Sequence, residues 1–370
     1  MVDRSDSDRS WMDRALFWAE RGRGLTSPNP PVGAVLISAS GVVIGQGAHL
    51  IAGGPHAEIV ALDKAGSDAR GATLYCTLEP CAHTGRTGPC VERIVAAGVR
   101  RVVAAVTDPN PRVSGQGFAY LEAHDVAVTT GVAQAEAGRQ LAPFFTWVAR
   151  RRPFVTVKAA ASLDGFVGRS DARVKLTGAT ADRYFHRQRA EVDAIAIGSG
   201  TLLIDDPMLT ARGAFRARPL TRVIVDWRGR AAASAQVFST LQAGPVIMVV
   251  TAETLAGRPE HFAALERRGV VVQPFESRDL RLVLEWLAAR DVVSLLVEGG
   301  PTLHAALADA ELVDRAQWIV TPRTLGRGVP LASNFTQTVA PTGPPRVVQL
   351  GEDLLIEFDV HRIDRDHRPH

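Results

Sequence analysis

A histidine and a glutamate stand two residues apart in PHAEIVALDKAG, residues 55–66, where the apolar spacing predicts the start of a helix. Two of the chain's three cysteines follow in LEPCAHTGRTGPC, residues 78–90. Zinc ligands sharing one helical face are normally four residues apart, and a spacing of two turns the side chains different ways. That spacing divides the labour: His56 on a metal, Glu58 on the metal-bound water. Cys81 and Cys90 would supply thiolates, and Cys90 follows Pro89 at a helix start, where the dipole favours an ionised sulfur. One histidine and two cysteines leave a tetrahedral position open, the mark of a catalytic rather than a structural zinc. Zinc lowers the pKa of a bound water to about 7, and a carboxylate beside it can carry the proton to a leaving amine. This is equipment for hydrolytic deamination of an aromatic amidine carbon. Each residue alone has an ordinary reading, a small apolar cysteine or a capping histidine; the conjunction carries the inference. Cys76 lies within the strand ATLYCTL and reads as core.

The elements that must hold these groups form an α/β pattern. SWMDRALFWAERGRG reads as an amphipathic helix with Ser10 as N-cap, and PVGAVLIS and GVVIGQGA as two strands joined at Gly41. HAEIVALDKAG is a helix closed by Gly66, followed by the strand ATLYCTL, the helix PCVERIVAAG and the strands RRVVAAVTD and DVAVTTG. QAEAGRQLAPFFTWVARR is a long helix with Pro143 as a bend. The alternation predicts one unit with a mostly parallel sheet. ARRRP, residues 149–153, breaks the pattern and suits a boundary. Strands then resume at FVTVKAAAS, VDAIAIG, TRVIVDW, PVIMVVTA, VVSLLVEGG, VDRAQWIVTP and DLLIEFDV, with helices at ATADRYFHRQRAE and LRLVLEWLAARD. The expected domains are residues 1–148 and 153–363, and they are not copies of each other.

Bulk properties narrow the function class. With 370 residues, 46% of them hydrophobic, the chain can bury two cores. A net charge of +3 comes from 42 basic and 39 acidic residues, scattered apart from RRR at 150–152, which is weak ground for nucleic-acid binding and suits a small phosphorylated substrate. The polar opening MVDRSDSDRSW offers no signal peptide, no apolar run reaches the roughly 18 to 20 residues of a membrane helix, and three cysteines make no disulfide framework. The expectation is a cytoplasmic protein without membrane or nucleic-acid partners; a homo-oligomer, dimer or tetramer, is expected as well, although these bulk properties do not give the oligomeric state.

HAE followed by TLEPC resembles the signature of the cytidine-deaminase-like zinc hydrolases. Most of these close the site with C-x-x-C, whereas eight residues, AHTGRTGP, separate Cys81 from Cys90 here. That insert, with NPPVG at 29–33 and TDPNP at 107–111, resembles the deaminase half of the bifunctional riboflavin-biosynthesis deaminase–reductases. The resemblance implies that Asn29 and His83 touch a pyrimidinone carrying a ribose phosphate; Arg86 offers a further donor. VKAAASLDG (157–165), RQRAEVDAIAIGSGTLLIDDPMLTAR (187–212) and VEGGPTLHAAL (297–307) extend the resemblance into a dihydrofolate-reductase-like second half. The implied fold is an N-terminal cytidine-deaminase-like α/β/α domain followed by that α/β domain.

By the same resemblance Ala160, Thr201, Asp205 and the run Gly299, Gly300, Pro301, Thr302, Leu303, His304, Ala305 would touch NADPH. Arg189, Leu209, Arg212 and Glu298 would hold the substrate, with Lys158 favouring an open-chain sugar imine and Asp164 matching the opening motif. The segment SDARVKLT, 170–177, departs from the family's S-G-E-S-x-W-I-T. Arg173, on the substrate side, and Lys175, on the cofactor side, take the usual serine and tryptophan positions, and two cations there suit phosphates. The implied activities are zinc-dependent deamination of 2,5-diamino-6-ribosylamino-4(3H)-pyrimidinone 5′-phosphate and NADPH-dependent reduction of its ribosyl group to ribityl. Two rivals stay open: a zinc deaminase acting on another base or nucleic acid with a second domain that reduces nothing, and a non-catalytic protein with structural zinc.

Overall fold

The computed structural model describes residues 4–83, 88–110, 113–331 and 339–360. The chain divides into two compact units, the first running to Arg150 and the second beginning at Arg151.

The first unit contains α1 (Arg4–Ala19), β1 (Gly33–Ile37), β2 (Val43–Ala48), α2 (Ala57–Ala65), β3 (Thr73–Cys76), α3 (Cys90–Ala96), β4 (Arg101–Ala104), α4 (Gln116–Ala123), β5 (Ala127–Thr130) and α5 (Gln134–Arg150). Its sheet order is β2-β1-β3-β4-β5. The sequence suggested a mostly parallel sheet, but β1 pairs antiparallel with both β2 and β3, and only β3–β4 and β4–β5 are parallel. The physical reason is the tight turn at Ser38–Val42, where Gly41 takes φ 81° and reverses the chain into a hairpin. Ser10 is not an N-cap: α1 starts at Arg4 and passes through it. The helix α4 was not anticipated. Pro143 does lie inside α5. Met12, Ala15, Leu36, Leu74, Cys76, Ile94 and Leu141 are fully buried in one core. Cys76 is part of it, its thiol 3.7 Å from the Val103 carbonyl.

The second unit contains β6 (Phe154–Ser162), β7 (Phe166–Gly168), α6 (Ala179–Glu191), β8 (Ala194–Gly198), α7 (Ser199–Asp205), β9 (Thr221–Val225), β10 (Val246–Thr251), α8 (Ala252–Gly257), α9 (Pro259–Arg267), β11 (Val271–Phe275), α10 (Leu280–Ala288), β12 (Ser294–Val297), α11 (Pro301–Asp309), β13 (Arg315–Thr321), β14 (Val329–Pro330), β15 (Arg346–Leu350) and β16 (Asp353–Asp359). Nine strands form one sheet in the order β11-β10-β9-β8-β12-β6-β13-β16-β15, parallel from β11 to β13 and antiparallel at β13–β16–β15. The central strands are almost wholly buried and read as continuous apolar runs, as a parallel sheet covered on both faces requires. The sequence did not announce β11, whose VVQPF contains a proline; the strand sits at the sheet edge, where a missing donor is tolerated.

Candidate functional site

In the first unit the putting-together of ligands is local. His56 is the N-cap of α2, in extended backbone with φ −71° and ψ 160°, so its ring leaves the helix start while Glu58 enters the first turn. Cys90 opens α3 after Pro89 as N-cap, and Cys81 follows the end of β3 on the intervening loop. Two helix N-termini thus converge on one point, and a helix N-terminus favours negative sulfur.

His56 Nδ1 lies 3.2 Å from Cys90 Sγ and 3.5 Å from Cys81 Sγ, and all three donor atoms fall within 4.8 Å of one another. The edges of a tetrahedron with zinc bonds of about 2.0 to 2.3 Å measure about 3.3 to 3.8 Å, so the donors are spaced for that ion. Burial pushes the Glu58 carboxyl up to about 7, and its Oε2 has no hydrogen-bond partner despite being enclosed. An orphaned, buried carboxylate oxygen beside two thiols and an imidazole fits a metal with a reacting ligand in the fourth place. The Cys81 thiol is drawn down to about 4, chiefly by its hydrogen bond with Cys90, whose own thiol that bond and burial push up. A cation between them would let both ionise.

Asn29 and His49 add a wall that the spacing of residues did not announce. His49 Nδ1 is 3.0 Å from the Pro55 carbonyl, so that nitrogen carries the hydrogen, and Nε2 accepts from Asn29 Nδ2 at 3.2 Å. Burial lowers the His49 pKa, consistent with this neutral tautomer. The His49 and His56 rings meet edge to face at 5.3 Å. His83 is exposed, and Arg86 lies outside the described residues.

In the second unit a cavity of about 970 Å³ opens along the sheet. It gathers Lys158, Ala160, Arg173, Lys175, Arg189, Thr201, Asp205, Leu209, Arg212, Glu298 and the start of α11 from Gly299 to His304, but Ala305 is not on its wall. Glu298 is the electrostatic centre: Arg189 grips it through two bonds of 2.5 and 2.7 Å, and Lys158 Nζ lies 3.8 Å away. Burial opposes the Glu298 charge, yet Arg189 holds the carboxyl below its usual range. Burial lowers the pKa of Lys158, whose ammonium also faces the Phe185 ring at 4.9 Å.

The glycines of EGGPTL have separate reasons. A Cβ on Gly299 would come within 2.7 Å of Thr201 Oγ1, and Gly300 takes φ 83° as N-cap of α11. Together they bring a helix N-terminus and Thr201 to one place, where a phosphate is favoured. Lys175 is largely exposed and pairs with Asp182 at 2.9 Å, while Arg173 lies near enough to Asp205 to pull down a carboxyl that burial raises. Asp164 does not line the cavity; it accepts from Ser162 Oγ and from the backbone N–H groups of Leu325 and Gly326, pinning that loop. Sequence reasoning missed His186, Trp227, Arg228 and Arg278 on the same wall. The available signal was DWRGR at the carboxyl end of β9, since ligands of open parallel sheets bind beyond those ends.

Comparison with known proteins separates the two units in the same way. Residues 5–106 match the cytidine and deoxycytidylate deaminase zinc-binding region, and residues 153–354 match the RibD C-terminal domain. The riboflavin biosynthesis protein RibD of Aquifex aeolicus is 36% identical over 355 residues, covering 95% of this chain and 98% of the relative. The Escherichia coli protein of the same name is 36% identical over 335 residues, covering 86% and 89%. The Acinetobacter baumannii RibD structure, form 1, superposes with a TM-score of 0.83 at 32% identity, covering 97% of this chain and all of the other. A Thermotoga maritima diaminohydroxyphosphoribosylaminopyrimidine deaminase/5-amino-6-(5-phosphoribosylamino)uracil reductase gives 0.82 at 32% identity, covering 96% and 99%. The chain belongs to the RibD family of riboflavin-biosynthesis proteins, bifunctional enzymes in which a zinc-dependent deaminase is joined to an NADPH-using reductase.

Proposed function

We propose that residues 1–148 hydrolyse the 2-amino group of 2,5-diamino-6-ribosylamino-4(3H)-pyrimidinone 5′-phosphate and that residues 153–363 reduce the ribosyl group of the product to ribityl. The observation that carries the first half is the buried, unpartnered Glu58 Oε2 beside the His56–Cys81–Cys90 cluster. Those three residues would hold zinc, which when bound supplies the Lewis acidity that makes water nucleophilic near neutral pH. Glu58, poised near pH 7, takes a proton from the attacking water and gives it to the exocyclic nitrogen. The C2–N bond breaks, ammonia leaves and a carbonyl remains. Asn29, its amide donor directed to His49, orients the base, and exposed His83 meets the ribose phosphate.

In the second unit NADPH, when bound, supplies the hydride. Thr201, Asp205, Lys175 and the start of α11 would hold it over Ala160. Arg212, Arg173 and Arg189 would hold the ribose phosphate, with Glu298 accepting from substrate hydroxyl or N–H groups and Leu209 against the sugar. Lys158 favours the open-chain imine, so that C1′ takes the hydride and the attached nitrogen takes a proton. Burial that lowers the Lys158 pKa suits a group that exchanges a proton with substrate.

A small phosphorylated substrate, a cytoplasmic setting, no nucleic-acid partner and a homo-oligomer, dimer or tetramer, complete this reading. None of the helices described is long and apolar enough to cross a membrane. The outer edge of β15 and the exposed Val347 suit a second copy of the chain. A coupled assay tests the function: zinc-loaded protein with the diaminopyrimidinone and NADPH should release ammonia and consume NADPH. Light scattering of the same sample reads the oligomer.

A further inference from the structure

Among the buried carboxylates that the proposed mechanism does not use, Glu79 lies two residues before the metal turn's Cys81. Glu79 is 3% exposed and has no cation within bonding distance among the described residues. Backbone N–H groups surround it instead. Oε2 accepts from Asp108 N–H at 3.1 Å and Gly115 N–H at 3.0 Å, and Oε1 accepts from Gly117 N–H at 2.9 Å. Its own N–H donates to the Val106 carbonyl at 2.9 Å. All of these partners belong to the segment between the end of β4 and the start of α4. Among the described residues of that stretch, Asp108 Oδ1 accepts from Asn110 N–H at 2.8 Å and the Asn110 carbonyl accepts from Val113 and Ser114. The approach is close enough that a Cβ on Gly117 would stand 2.1 Å from the Pro80 carbonyl.

We propose that Glu79 is a positioning residue for deamination: through these three N–H groups it fixes the β4–α4 segment against the turn that carries Cys81. What the segment brings to the site is Asp108. Its carboxyl is mostly enclosed and feels both the Cys81 sulfur and the His83 ring. Its backbone N–H, bonded to Glu79 Oε2 at 3.1 Å, holds Asp108 beside the turn that carries Cys81, where a substrate's polar groups would lie. A carboxylate suits the task because both oxygens only accept, and charge-assisted bonds of this kind are about twice as strong as neutral ones. Glutamine has nearly the same shape but turns one of its ends into a donor, which faces an N–H group and loses that bond. The loss falls on the segment and leaves the metal ligands in place.

The inference rests on the deaminase reading for its kinetic arm only. Glu79→Gln in the intact, zinc-loaded protein should keep one zinc per chain and leave the second unit's NADPH oxidation unchanged. Amide hydrogen exchange at Asp108, Gly115 and Gly117 should rise at least tenfold. KM for the diaminopyrimidinone should rise at least tenfold while kcat falls less than threefold. Unchanged KM despite faster exchange overturns the proposal, and so does zinc loss accompanied by a fall in kcat with KM unmoved, which would make Glu79 a support of the metal turn alone. Gly117→Ala crowds the Pro80 carbonyl and Glu79 Oε1 and so displaces the same segment while the carboxylate itself is kept, and covers the case in which Glu79→Gln does not fold. It should raise KM with little change in kcat; normal kinetics in it overturn the proposal as well. Absence of ammonia release from the unaltered protein would instead contradict the proposed substrate, while the exchange measurement would still read what Glu79 holds.

Discussion

The two sites are built in opposite ways. The proposed deaminase centre is small and local: His56, Glu58, Cys81 and Cys90 span 35 residues, and helix starts or the turn between them place every donor. The proposed reductase site is a broad cavity whose polar heart, Lys158, Arg189 and Glu298, comes from β6, α6 and the end of β12. A metal centre needs few groups at short distances. A dinucleotide and a sugar phosphate need many weak contacts over a long surface, with charges held by one another until ligands arrive. The difference implies that single substitutions should abolish the first activity and grade the second.

The sharpest break should come from Cys90→Ser. Loss of one of the two thiolates in a three-ligand set should drop zinc below a tenth of an equivalent per chain and remove deamination, while NADPH oxidation with the deaminated intermediate continues. Metal analysis and the two assays on one sample check this. Next, Arg189→Ala takes the bidentate partner from buried Glu298 and leaves it Lys158 Nζ at 3.8 Å, at a cost of about 3 kcal/mol, the low end for a broken buried pair. A fall in the second unit's denaturation midpoint with lost reductase activity is expected, and Glu298→Gln in the same background should recover part of the stability.

How much of each site was legible follows from the same contrast. The candidate metal cluster could be read because rare residue types cluster along the chain and sit next to helix-start signals such as Pro89. Glu79 and His49 could not, because their partners are backbone groups or side chains that only the folded turns bring near. In the second unit Gly299, Gly300 and Thr201 were located by resemblance, and their steric reason appeared only with the backbone. The unexpected α4, β7 and β15 are short, and their spacing is too brief to declare a period. Ser10 misled because a capping residue type says nothing about whether the helix has already begun.

His304 offers a milder comparison through pH. Burial draws its pKa down to about 4, below the ordinary 6.5. A depressed histidine contributes stability that is present above pH 6.5 and is lost as pH falls toward 4. Going from pH 7 to pH 5 should therefore cost the second unit about 2 kcal/mol that a His304→Leu variant does not lose. Urea titrations of the intact chain, with hydrogen exchange followed in α11, give the difference.

The smallest effect should come from Lys175→Ala. Exposed pairs such as Lys175–Asp182 contribute about 0 to 1 kcal/mol, so stability should barely change. KM for NADPH should rise by about threefold to fivefold if this cation serves a phosphate, the scale of about 1 kcal/mol. An unchanged KM removes Lys175 from the cofactor site.

The most direct measurement is the coupled assay on Glu58→Ala, following zinc, ammonia and NADPH absorbance together. Retained zinc, ammonia release slowed by about 10²- to 10⁴-fold and undiminished NADPH oxidation on the deaminated intermediate are the expected result. Ammonia release at the unaltered rate, with zinc in place, would contradict the assignment of Glu58 as the proton carrier and with it the account of the first site.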